Sequence, residues 1–121
     1  MSKILYSIGR FLYAIPFVVF GFFHLSKGPQ MAGLVPPYVP GGVFWVYLTG
    51  VALMAAGISI IMNKFTKIST LLLGVLLLIF VLTIHLPGLS NPQTMQMAMA
   101  GVMKDTMLAG AAFMFSARSD N

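Results

Sequence analysis

Lys104 and Asp105 stand side by side near the middle of a hydrophobic segment that runs from Gln93 to Ser116. The chain carries only seven basic and two acidic side chains in 121 residues, so the position of each is informative. An ionisable side chain at mid-bilayer costs roughly 2.5–3.5 kcal/mol even on the lenient insertion scale, which marks such a residue as serving assembly or function. Asp105 recurs at helical spacing with Ala98, Gly101, Ala109, Ala112 and Ser116, a face of small residues suited to the interior of a helix bundle. Lys104 is turned about 100° from that face. Its aliphatic stem can carry the ammonium to polar surroundings, a ligand or a neighbouring subunit.

Arg10, Ala14, Phe17, Gly21 and His24 recur at steps of four, three, four and three, so all five share a narrow stripe of the first helix. Arg10 and His24 then lie about 21 Å apart along the axis, at opposite ends of that stripe. Arg10 is the mate expected for Asp105, and two roles are open for the pair. It can be a structural ion pair that fixes how the first and fourth helices dock. Alternatively, with Lys104, it can hold the polar head of a quinone or another small anionic or carbonyl-bearing ligand, or relay protons.

His85 closes a third stripe with Gly74, Leu78 and Val81, on the same outer side as His24. Two histidines at one level can each be an interfacial side chain bonded to a loop carbonyl, or can form a ligand site of His24, His85 and Lys104. A quinone ring bonded by one imidazole suits such a site, and a bis-imidazole haem is the weaker alternative. No metal site is expected from two histidines without cysteine or nearby carboxylates. Phosphate-binding loops, nucleophile elbows, paired carboxylates and zinc-type HExxH motifs are missing from the sequence, so hydrolysis and phosphoryl transfer have no candidate residues. No catalytic residue is assigned.

The elements that must position these groups follow from composition. At 59% hydrophobic, 7% charged and a mean hydropathy of +0.95, the chain falls in the membrane class. A span needs about 20 apolar residues. Four such stretches are expected, at residues 4–25, 43–62, 69–86 and 94–116, with short polar breaks between them. The fold class is therefore all-α, an integral membrane four-helix up-down bundle forming a single domain over residues 1–121. The exit from the first stretch, HLSKGPQM, contains no small-residue cleavage site, so that stretch is expected to remain as a helix rather than be removed as a signal.

Lys3, Lys64, Lys67 and Arg118 fall on one side of a four-span arrangement and only Lys27 on the other, which puts both termini in the cytoplasm. The net charge of +5 is scattered singly at segment ends, so it speaks for orientation in a lipid bilayer and not for nucleic acid. With no cysteine, thiol redox relays and thiolate metal sites are excluded. The outer connection, residues 26–42, holds Pro29, Pro36, Pro37 and Pro40 and is expected to be an ordered cap. Methionines 95, 99, 103 and 107 step by four and form a ridge for adaptable packing or lipid contact.

Arg10, the run GFFHL at 21–25, the VPPYVP loop, LTGVALMAAG opening the second helix and a basic turn before an aliphatic third helix together make the chain resemble the DoxX family over residues 8–90. The resemblance implies a four-helix protein of the bacterial inner membrane. Some members are small subunits of thiosulfate:quinone oxidoreductase and others associate with oxidative-stress enzymes. The matching positions are Arg10, Gly21, His24, Pro37, Pro40, Gly50 and Gly57. The chain departs from the family pattern at Leu53, where many relatives are acidic, and at Thr83 to His85, where relatives often read PaN.

The function expected on these grounds is a small subunit or accessory partner of a quinone-linked redox assembly in the membrane, without catalytic activity in isolation. Its partner would be another membrane subunit or a second copy of the chain. An oxidoreductase subunit with its own quinone or haem site is the alternative. A carrier of a small hydrophobic molecule is a third reading, disfavoured by the lack of broken helices or inverted repeats.

Overall fold

The computed structural model describes residues 2–121, with the backbone alone at Leu34; Met1, counted in the expected domain, lies outside the described residues. Those residues are helical and turn structure without a strand. In chain order they form α1 (Ser2–Ser26), a short α2 (Gly28–Met31), a 3-10 turn (Ala32–Leu34), α3 (Val43–Met62), α4 (Thr66–Phe80), a π-helical turn (Val81–His85), a short α5 (Leu86–Gly88) and α6 (Met95–Arg118). Three stretches are long and apolar enough to cross a membrane: Ser2–Ser26, Val43–Met62 and Thr66–Gly88. α6 matches them in length, but Gln96, Lys104, Asp105 and Thr106 dilute its apolar character.

Small residues decide how the long helices pair. A side chain at Gly50 would meet Cβ of His24 at 2.7 Å and the carbonyl of Gly21 at 2.9 Å, and one at Gly57 would meet the carbonyl of Ala14 at 2.9 Å. The two backbones therefore touch along Gly21, Gly50, Ala14 and Gly57, an approach only small residues permit. As α1 runs from Arg10 to His24, its contacts on α3 run back from Ile61 to Gly50, so the two are antiparallel. α6 lies antiparallel to α4 in the same way. Its positions 98, 101, 113 and 116 meet 88, 85, 74 and 67 in turn.

The two pairs are joined through the turn Asn63–Phe65, where Asn63 and Phe65 adopt φ of 57° and 56°. At this end Ser59 Oγ of α3 donates to Ser69 Oγ of α4 at 3.0 Å, and α4 and α6 are tied to each other by polar contacts. Ser116 Oγ donates to the Lys67 carbonyl at 2.7 Å, Lys67 Nζ donates to the Ser116 carbonyl at 3.2 Å, and Ser119 Oγ donates to Thr66 Oγ1 at 3.0 Å. Tyr13 OH spans from α1 to the Leu108 carbonyl at 2.5 Å. Below it, Ala14, Phe17, Leu53, Ala56, Ile60, Leu73, Leu77 and Ala109 form a continuous apolar core.

Leu78, expected on the inner stripe of the third helix, is exposed, and Leu77 is buried in its place. Gly74 marks the side of α4 turned toward Phe113 of α6, whereas Leu73 and Leu77 face the core shared with α1 and α3. Most of the large apolar side chains are left outside: Leu12, Leu72, Leu82, Met103 and Met107 are all at least 60% exposed. An outer surface so rich in hydrocarbon is stable in lipid and not in water.

Candidate functional site

Away from the tied end, the α1–α3 pair and the α4–α6 pair flank a half-open cavity of about 620 Å³. Met31, Val35, Pro36 and Val39 of the connection between α1 and α3 form part of its wall, so this segment lies on the helices. The chain turns from there into α3 through Gly41 at φ 106° and Gly42 at φ 39°, backbone angles that side chains disfavour. Trp45 Nε1 donates back to the Pro40 carbonyl at 2.5 Å and fixes the indole beside the cavity. The lining is mostly apolar, and its ionisable groups are His24, His85, Lys104 and Asp105. The three candidate ligand residues thus meet in one place, together with Asp105.

His85 arrives there because α4 does not end as a regular helix. Pro87 has no N–H to offer the carbonyl one turn back, and its ring crowds that carbonyl at Thr83. The chain widens to a π-helical turn over Val81–His85, and Thr83 Oγ1 donates to the Ile79 carbonyl at 2.7 Å within it. Such a turn shifts the phase of the residues that follow and is frequent at functional sites. Here it lays the His85 ring across α6 at Gly101, where a side chain would come within 2.6 Å of His85 Cε1. The missing side chain at Gly101 is what admits the imidazole.

His85 Nε2 donates to Asp105 Oδ2 at 2.8 Å, and Asp105 is only 5% exposed. An ionised carboxylate only accepts, so Nε2 carries the proton of this bond. The other carboxylate oxygen, Oδ1, lies 3.8 Å from Lys104 Nζ. Lys104 extends over the ring of Phe20 on α1, with its ammonium 5.5 Å from the centroid. That cation–π contact and the half-exposed stem let the ammonium lie across the gap between α6 and α1.

The expected Arg10–Asp105 pair is not formed. Tyr13 stands level with Leu108, and Phe20 with Lys104, so Asp105 faces the Phe17–Phe20 level of α1. Arg10 is at least seven residues further along, about 10 Å down the axis. Its Nη1 donates instead to the carbonyls of Ile60 at 3.2 Å and Ile61 at 2.6 Å. These belong to the last turn of α3, where the Ile60 carbonyl also accepts from the Asn63 N–H at 3.1 Å and a cation meets the negative end of the helix dipole. The Tyr6 and Phe11 rings flank the guanidinium at 5.8 and 5.2 Å, and its Nε is buried without a hydrogen-bond partner.

His24 is held by its own helix, with Nδ1–H donating to the Phe20 carbonyl at 2.6 Å. Both histidines line the cavity, yet they are not equivalent. In His85, Nε2 is taken by Asp105 and Nδ1 packs against Gly101, so no ring nitrogen is presented to an iron atom. The bis-imidazole haem raised by the two histidines is therefore not served by this geometry. No group of three or more metal-binding side chains occurs among the described residues.

Two features escaped the sequence reading: the bond between His85 and Asp105, and the Tyr13 hydroxyl that ties α1 to α6. Pro87, two residues after His85, and Gly101, one turn before Asp105, are the signals that pointed to the first.

No protein-family model, curated protein or solved structure matches this chain. The class it falls in is set by its own features: an all-helical protein with helices apolar enough for a membrane, flanking a mostly apolar cavity with a histidine paired to a buried carboxylate in its wall.

Proposed function

We propose that this chain is a DoxX-like protein of the bacterial inner membrane, with four spans, both termini cytoplasmic, and a cavity that holds the ring of a quinone-class ligand. In this role it serves as a small subunit of a quinone-linked redox assembly. The observation that carries the reading is the cavity itself: about 620 Å³, mostly apolar, with His24, His85, Lys104 and Asp105 as its ionisable groups. Ligand pockets of roughly 300–1,000 Å³ with a small number of placed polar groups are typical of sites for drug-sized apolar molecules. Intramembrane ionisable groups facing such a cavity are functional by default.

The spanning role of α6 is supported by the way its polar groups are turned. Asp105 faces inward to His85, Ser116 faces Lys67, and the outward positions 95, 99, 103 and 107 are exposed methionines. Lys3, Lys64, Lys67 and Arg118 gather toward the tied end of the helices, which supports a cytoplasmic location for it.

Protein purified in mild detergent from its native membrane is expected to release quinone in stoichiometric amount on solvent extraction, and to carry a partner subunit. Trace quinone in the extract, together with no response of Trp45 fluorescence to added quinone, would sink the ligand reading. A monomeric, partner-free preparation would sink the subunit reading.

A further inference from the structure

The bond at His24 sets the hydrogen-bonding character of the cavity. A carbonyl oxygen only accepts, so the 2.6 Å contact with Phe20 places the proton on Nδ1. In the neutral imidazole, Nε2 is then a bare acceptor. Because Nδ1 is turned back onto the main chain of α1, Nε2 is the ring nitrogen left for a ligand, and His24 lines the cavity. Asp105 Oδ1 adds a second acceptor, since Oδ2 is engaged by His85. On the donor side, Lys104 Nζ is the charged group and the Thr49 hydroxyl a neutral one, whereas the Thr83 hydroxyl proton is spent on the Ile79 carbonyl.

An oxidised quinone presents two carbonyl acceptors and would place one lone pair against another at His24. A hydroquinone brings hydroxyl donors. We infer that the cavity takes its ligand in the reduced form, as a hydroquinone whose ring hydroxyl donates to His24 Nε2 while Lys104 donates to an oxygen of the same ring. His85 acts as a positioning residue here, holding the Asp105 carboxylate in place through its own Nε2. This inference rests on the quinone-class reading of the cavity and adds the redox form and the recognising group.

Trp45 is the sole tryptophan of the chain and lines the cavity, so its fluorescence reports occupancy directly. The test is an anaerobic equilibrium titration of the detergent-purified protein with three probes: decyl-ubiquinol, decyl-ubiquinone and the dimethyl ether of decyl-ubiquinol. The ether keeps the ring and tail but has no hydroxyl proton. The quinol is expected to bind about tenfold more tightly than either of the other two, as for one well-made hydrogen bond in a desolvated site. His24→Leu is expected to bring all three within about twofold, chiefly by weakening the quinol. Equal binding of the three by the native protein, tighter quinone, or a quinol preference that survives His24→Leu would each overturn the inference while leaving a quinone-class cavity standing. If no probe alters Trp45, the cavity reading fails and the inference with it.

Discussion

The His85 imidazole crosses from the end of α4 to α6 and donates from Nε2 to Asp105 Oδ2 at 2.8 Å, across a backbone that has no side chain at Gly101. A carboxylate this deeply buried is tolerable only when paired, because an isolated charge in a low-dielectric interior loses its hydration without return. Lys104, at 3.8 Å from the other oxygen, contributes charge without a close hydrogen bond. His85 is thus the group on which Asp105 depends.

Removing both members should cost less than the two separate losses added together. His85→Leu and Asp105→Leu are each expected to destabilise the protein in detergent by about 2 kcal/mol or more, and the double variant by clearly less than the sum. Thermal or denaturant unfolding of the four proteins checks this. Additive losses would mean that the two groups do not act as a pair.

Gly101→Ala tests the packing that admits the ring. The new methyl meets His85 at 2.6–2.8 Å from its Cε1 and Cγ, so a loss of about 1–3 kcal/mol is expected, with displacement of the imidazole. Gly110→Ala on the same helix is the control, since nothing lies within 4 Å of the added carbon. It is expected to be neutral or to stabilise α6 by about 0.5–1 kcal/mol through better helix propensity.

Arg10 closes the last turn of α3 and has no energetic link to Asp105. Arg10→Leu should destabilise the protein through the freed carbonyl of Ile61 and the second bond lost at Ile60, and Asp105→Leu should neither rescue nor deepen that loss beyond about 0.5 kcal/mol. A strong coupling between the two substitutions, measured in the same unfolding experiment, would restore the direct pair.

Periodicity alone located the faces of the helices. Ala98, Gly101, Asp105, Ala109, Ala112 and Ser116, grouped by spacing, are the six buried residues of α6, and Ala14, Phe17 and Gly21 are those of α1. A repeat near 3.6 residues says which side of a helix is inward, so this much was written in the pattern. It does not say which residues of two helices stand at one height. That depends on where the backbones touch, here Gly21 on Gly50 and Gly74 on Phe113, and on the π-helical turn before Pro87. Arg10 and Asp105 share no level, and Asp105 and His85 do. The stripe through Leu78 missed by one position for a related reason: α4 divides its contacts between the core and α6, and Leu77 faces the core.

Ligand occupancy of the cavity is the central claim, and photolabelling addresses it with least inference. Native membranes containing the protein are irradiated with a photoreactive azidoquinone, with and without excess unlabelled quinone, and the modified residues are mapped by mass spectrometry. Labels on cavity residues such as Phe20, Trp45 and Leu108, abolished by the competitor, are expected. Labels confined to the outward side chains of Leu12, Leu72 and Met103, and indifferent to competitor, would contradict a quinone-class site between the two helix pairs.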